Sequence, residues 1–306
     1  MEAFQNRLLR AGVAAAAAGA AAASYMAFEA QWPDCRRADL AIPGLPAAWV
    51  GLTILHLSDV HAGLFPTNER SLGKAVSWAA PLEPDIVFLT GDIVGDPSRS
   101  GRALRSLTEL TPPLGIFAVT GNHEYGLAKG PLTKARDIGD LYETAGITLL
   151  RDACAALPVR DGVGLLVCGA DYLTGGFGLL DPDIVSGCGC PPADPAAASS
   201  VMPAASPAAP PSAGSRFSIL LIHEPPPSDS PLANRFLLAF AGHTHGGQLR
   251  IPFPSGLRPL VGDAGEFLSG VYEWGRGRLI VSRGVGTSFL PFRLLSRPEA
   301  TLWRLI

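Results

Sequence analysis

The chain of 306 residues sets 24 lysines and arginines against 27 aspartates and glutamates, so it lacks the basic footprint of a nucleic-acid binder. With 47% hydrophobic and 17% charged residues it has ample core material, and its 35 glycines and 28 prolines follow no short period, which excludes a disordered chain, a collagen and a coiled coil. Five irregularly spaced cysteines are too few for a disulfide scaffold.

Residues 1–30 form the first predicted unit. Positions 11–28 (AGVAAAAAGAAAASYMAF) run without a charge behind Arg7 and Arg10, the arrangement of a signal peptide or a single membrane-spanning helix. The length favours a retained anchor, although Ala21-Ala22-Ala23 offers a cleavage site ahead of Ser24. Arg36 and Arg37 follow as closely as Arg7 and Arg10 precede, so flanking charge sets no orientation. We expect a protein of the cell membrane with its main domain on the extracytoplasmic side, or an exported one if the segment is removed.

Residues 31–45 read as a linker, and 46–306 as one domain. Strands are predicted at 52–57, 86–90, 115–120, 164–168, 217–222, 237–241 and 278–282, where apolar runs are bounded by turn residues. Helical faces are predicted from Leu72, Ala75, Val76 and Ala79, and from Leu132, Ala135, Ile138 and Tyr142. Strand and helix alternate early, while the last third is strands and turns, which implies a layered α/β fold with more than one sheet. Residues 187–214, dominated by Pro, Ala, Ser and Gly, read as an extended low-complexity insertion. Cys188 and Cys190 at its start make a poor zinc site on their own. Cys154 and Cys168 are candidates to pair in an oxidising compartment.

Five of the six histidines lie at or just after predicted strand ends, beside other ligand types. Asp59-Val-His61, Gly91-Asp92, Gly121-Asn122-His123-Glu124, His223 and Gly242-His243-Thr244-His245 follow five different strands. Strand exits in α/β folds converge at one sheet edge, where ligands bind. Imidazole and carboxylate donors suit Mn, Fe, Zn or Ni. Seven ligands with one bridging carboxylate give about four contacts to each of two ions, leaving positions for water and substrate. Asp-x-His and His-x-His on extended backbone would each turn two side chains to one side. His56, inside the first of these strands, reads as a packed histidine. Arg250 and Arg283 are candidates for phosphate contact or for plain surface charge.

Taken in order, Asp-x-His, Gly-Asp, Gly-Asn-His-Glu, His and Gly-His-x-His resemble the calcineurin-like metallophosphoesterases over residues 46–306, the insertion excepted. LSDVHAG (57–63), TGDIVGD (90–96), VTGNHEYG (119–126), GHTHGGQLRIP (242–252) and the tail 269–299 are similar to that family's membrane-anchored or exported phosphodiesterase branch. The resemblance implies a two-sheet β-sandwich flanked by α-helices, with an N-terminal apolar helix. It implies that Asp59, His61 and His245 hold one metal, that Asp92 bridges, and that Asn122, His223 and His243 complete a second site. It assigns His123 to the phosphoryl group and to protonation of the leaving oxygen, with attack by a metal-bridging hydroxide. The chain departs from the branch in its proline-rich insertion and in a short segment between His223 and Ala241, both of which bear on substrate preference.

The expected activity is therefore phosphodiester hydrolysis at the cell envelope by a monomer, on a lipid head group, a cell-wall polymer or a nucleotide. The alternatives are a phosphomonoesterase or phosphoprotein phosphatase on the same site, and a metal-binding scaffold without catalysis.

Overall fold

Strand β3 (Ile86–Thr90) shows how the layers arise. Its five residues are all buried, with Ile86 and Phe88 in one core and Val87 and Leu89 in another. A strand with two dry faces needs cover on both. The chain, described by a computed structural model over residues 2–127, 138–176, 216–260 and 265–306, supplies it in two layers. The insertion at 187–214 with Cys188 and Cys190, and the helical positions Leu132 and Ala135, lie outside the described residues.

One six-stranded sheet runs Asp34–Leu40 (β1), Glu299–Leu305 (β14), Thr53–Leu57 (β2), β3, Ile116–Val119 (β4) and Thr148–Leu149 (β5). The other runs Gly270–Trp274 (β12), Gly277–Val281 (β13), Leu238–Ala241 (β9), Arg216–Leu221 (β8), Val163–Gly169 (β7) and Ala153–Arg160 (β6). A separate hairpin joins Arg250–Phe253 (β10) to Gly256–Pro259 (β11). The two sheets enclose Ile54, Phe88, Phe117, Phe217, Phe240 and Trp303. Helices α2 (Pro66–Ala79), α3 (Gly101–Leu107) and α4 (Gly139–Thr144) cover the outer face of the first sheet with Leu72, Ala75, Val76, Ala79, Leu104 and Tyr142. The sandwich flanked by helices is the architecture the sequence implied.

All seven predicted strands form, within a residue or two at each end. Several others went unread. Part of the segment taken for a linker, Asp34–Leu40, is strand β1, parallel to β14 at the sheet edge. Its Arg36, Arg37 and Asp39 hid it, because an edge strand carries charge that a central strand cannot. Arg36 pairs with Glu299 at 2.6 Å, and Asp39 with Arg304 at 2.8 Å. Pro158 breaks the pattern of β6 in the same way, and β6 is the opposite sheet's edge, where its register shifts between Leu157 and Arg160. Cys154 and Cys168 are register partners on β6 and β7 and form a disulfide.

The N-terminal segment is one helix, α1 (Glu2–Glu29), of 28 residues, or about 42 Å against roughly 30 Å of hydrocarbon. It is long and apolar enough to cross a membrane, and its spanning window is not buried against the domain. Only its end docks: Glu29 is buried and accepts the Ser296 N–H at 2.8 Å, while the Arg293 N–H donates to the Met26 carbonyl at 3.1 Å.

Candidate metal centre

The parallel strands β2, β3, β4, β8 and β9 release the chain beside one another, and the predicted residues follow at those exits. Their backbone differs from expectation in one respect. Asp59 (φ 50°), His61 (φ 48°), Asp92 (φ 52°), His243 (φ 71°) and His245 (φ 50°) occupy the left-handed region rather than extended backbone. Such positions cost about 1–3 kcal/mol each when the residue is not glycine, and they persist where the surroundings enforce them. Here the loops bind one another, with Asp59 N–H donating to Gly91 O at 3.0 Å and His61 N–H to Asp92 O at 2.8 Å. Glycine is required at Gly242, where a Cβ would run into Ser58 and Asp59, and at Gly121, where it would run into Asp92.

The side chains meet in two overlapping groups. In the first, His61 Nε2 faces His245 Nε2 at 2.9 Å, and Asp59 Oδ1 lies 3.6 Å from His245 Nε2. In the second, His223 Nε2 lies 3.2 Å from Asn122 Oδ1 and 3.1 Å from His243 Nδ1. Asp92 Oδ2 stands between them, 3.7 Å from His61 Nε2 and 3.4 Å from His223 Nε2. All seven predicted ligands are thus brought together. His123 joins them from the side, its Nε2 4.0 Å from Asp92 Oδ2 and its ring edge-on to His61 at 4.3 Å.

This donor set fits cations. Burial pushes the His61 pKa down to about 3 and that of His245 well below its usual range, so both rings are neutral and present lone pairs. Burial also pushes Asp59 up to about 6. Burial acts to raise the Asp92 pKa, but the charge and hydrogen bond of His223, together with His61 and His123, outweigh it and hold the carboxyl well below its usual range. The facing carboxylates in turn overcome burial at His223 and raise it to about 10. Its Nδ1 lies 2.8 Å from the Thr90 carbonyl, which orients Nε2 into the centre. Two dry carboxylates face the neutral rings of His61 and His245 and a single protonated ring, His223, which leaves a negatively charged pocket that positive ions, displacing that proton, complete.

Two supporting residues escaped the sequence reading. Glu124, buried, accepts the N–H groups of Gly121 at 2.8 Å, Asp92 at 2.9 Å and Val94 at 3.0 Å, and the Tyr142 hydroxyl at 3.0 Å. It ties the Asp92 and Asn122 loops together, and burial followed by the charge of Asp92 raises its pKa to about 7. Its motif was visible in sequence, but its role lies in backbone geometry. Arg293, fully buried, donates to the carbonyls of Arg283, Gly284, Gly286, His245 and Ser296 and stands 3.3 Å from His245 Nδ1.

Among the other candidates, His56 is packed as expected, buried edge-on against Phe240 with Nε2 2.9 Å from Thr90 Oγ1. Arg283 is committed to Glu299 at 2.8 Å and Asp34 at 2.6 Å, and Arg250 to Gly246 O and Ser269 Oγ. Neither guanidinium is among the clustered side chains.

The family model for calcineurin-like phosphoesterases matches residues 52–247. The uncharacterised metallophosphoesterase YkuE of Bacillus subtilis (strain 168) is 28% identical over 265 residues, covering 85% of this chain and 81% of that protein. A transmembrane protein with metallophosphoesterase domain from Danio rerio is 30% identical over 285 residues, covering 89% of this chain and 57% of that protein. Phosphodiesterase YaeI of Escherichia coli (strain K12) is 29% identical over 260 residues, covering 83% of this chain and 82% of that protein. The matched span contains every clustered residue from Asp59 to His245, and the chain belongs to the calcineurin-like phosphoesterase family.

Proposed function

We propose that this chain, a metal-dependent phosphoric ester hydrolase by family, is a phosphodiesterase of the cell envelope that works with two ions. Asp59, His61 and His245 would hold one ion, Asn122, His223 and His243 the other, and Asp92 would serve both. The observation that carries this reading is the single oxygen, Asp92 Oδ2, placed 3.7 Å from a donor of one group and 3.4 Å from a donor of the other. Imidazole, carboxylate and amide donors without a thiolate suit Mn, Fe, Zn or Ni. When bound, such ions neutralise phosphoryl charge and acidify water for in-line attack.

The protein's own contribution is placement. Asp92 Oδ1 accepts the His123 N–H at 2.8 Å, which fixes the loop bearing the one clustered histidine without an assigned ligand role. We assign His123 to phosphoryl contact and to protonation of the leaving alcohol, which it can reach because its ring lies at the edge of the cluster and is 8% exposed. Helix α1 supports placement at a membrane, as does the transmembrane relative, and the YaeI relative supports a diester.

The reading is tested with the full chain reconstituted with manganese, comparing bis(4-nitrophenyl) phosphate with 4-nitrophenyl phosphate. We expect the diester to be preferred by at least about tenfold in kcat/KM and its hydrolysis to stop on chelation. Preference for the monoester would put a phosphomonoesterase in its place. Metal binding without hydrolysis of either would favour a scaffold.

A further inference from the structure

Beside the clustered side chains the surface opens into a cavity of about 550 Å³, with His243 and His245 on its wall. Its lining is otherwise largely apolar, with Pro259, Phe267, Leu268, Phe289 and Leu290 alongside the polar Gln248 and Ser288. Clustered cation-binding side chains and an apolar wall in one cavity match an amphiphile. Glu224 and Glu266 also line the cavity, and their carboxylates oppose a polyanion such as a nucleoside triphosphate.

The loop that builds this wall is bound directly to the apolar helix. Phe289 and Leu290 lead into Arg293 and Ser296, whose N–H groups donate to Met26 and Glu29 at the end of α1 at 3.1 and 2.8 Å. Exposed apolar side chains continue across the junction, from Tyr25 and Phe28 on the helix to Leu295, Phe289 and Leu290 on the loop. Trp32 lies beneath the Arg297 guanidinium, 3.9 Å from its ring centre. Aromatic rings at the end of a spanning helix mark the level of the lipid head groups. The β10–β11 hairpin, which contributes Pro259 to the cavity, carries Phe253 and Leu257 about half exposed, with Leu260 just beyond. Exposed apolar residues on the loop, helix end and hairpin that border the same cavity wall mark a contact with something apolar.

We infer that the substrate is a membrane lipid phosphodiester, with a hydrocarbon chain in this cavity and its phosphate at the clustered Asp and His residues. This rests on the phosphodiesterase reading above. It commits the cavity to a lipid from the bilayer that α1 crosses, because cavity wall and helix end are joined through one loop. A soluble sugar-phosphate polymer would leave the apolar wall without a partner.

The test uses the full chain in lipid nanodiscs with manganese and a series of 4-nitrophenyl alkyl phosphate diesters, methyl, butyl and octyl, kept at monomeric concentration. Each methylene taken from water is expected to raise kcat/KM by up to roughly fourfold until the cavity fills, and at least about 100-fold in all from methyl to octyl. Phe289→Asp combined with Leu290→Asp should flatten the series and leave hydrolysis of the methyl ester unchanged. A flat series in the unaltered chain overturns the inference while leaving the phosphodiesterase reading intact. So does a steep series that the double variant retains. Failure to hydrolyse any of the diesters overturns both. Should the double variant not fold, the series in the unaltered chain still decides.

Discussion

Asp92→Ala is expected to slow metal-dependent diester hydrolysis at least about 10³-fold and to reduce metal content in both groups. The reason is its position. Oδ2 lies between His61 Nε2 and His223 Nε2, and Oδ1 accepts the N–H of His123. One substitution therefore removes the carboxylate whose single oxygen faces a histidine of each group, and loosens the loop carrying the proposed proton donor. The overall fold should persist, since Asp92 follows β3 and the strand's core contacts are untouched. Asn122→Ala removes one donor beside His223 and should weaken the second group alone. Elemental analysis of each variant beside its turnover checks both statements. Undiminished metal-dependent turnover in the Asp92 variant would contradict the shared role.

Arg293→Met is expected to have the largest effect on stability, about 3–5 kcal/mol, with the melting temperature of the full chain falling by about 6–20 °C. The guanidinium is fully buried and joins four stretches of chain: the Arg283–Gly284 turn, Gly286, His245 and Ser296. Burial pulls its pKa down to about 9, still above neutrality, so a cation faces these carbonyls at physiological pH. Methionine fills similar volume but strands the carbonyls of Arg283, Gly286 and Ser296 in a dry interior, where each unpaired group costs about 1–3 kcal/mol before relaxation, while Gly284 O keeps the Glu299 N–H and His245 O the Gln248 N–H. His245 would lose its support as well, so metal retention should fall with stability. Scanning calorimetry reads the shift, and an unchanged midpoint would show that water or neighbouring donors replace the guanidinium.

The two supporting residues differ in how far the sequence could show them. Glu124 stands inside a motif that the sequence displays, yet nothing in Gly-Asn-His-Glu states that its carboxylate gathers N–H groups from its own loop and from the Asp92 loop. Arg293 lies in SFLPFRLLSRPE, where an arginine between apolar residues reads as a snorkelling surface charge. Its carbonyl partners are set by loop closure, which residue identity does not encode locally. The clustered Asp, Asn and His residues were legible because a chemical type recurs at each strand exit, a signal that survives ignorance of the backbone. The expected route was nonetheless different: extended pairs were foreseen, and left-handed turns deliver the same side chains. Strands β2, β3, β4, β8 and β9 were readable because buried parallel strands are apolar runs. Strands β1 and β6 were not, since edges tolerate the arginines and the proline that local patterns treat as breakers. Docking of α1 onto the Arg293–Ser296 loop, and with it the link between the apolar helix and the cavity, depends on contacts more than 260 residues apart in sequence.

The two-ion site is tested most directly by the manganese content of the full chain at saturation, measured together with hydrolysis of bis(4-nitrophenyl) phosphate as the ion is titrated in. Two ions per chain are expected, with hydrolysis rising as the second site fills and disappearing on chelation. One ion or none at full activity, or hydrolysis that persists in the chelated chain, would contradict it.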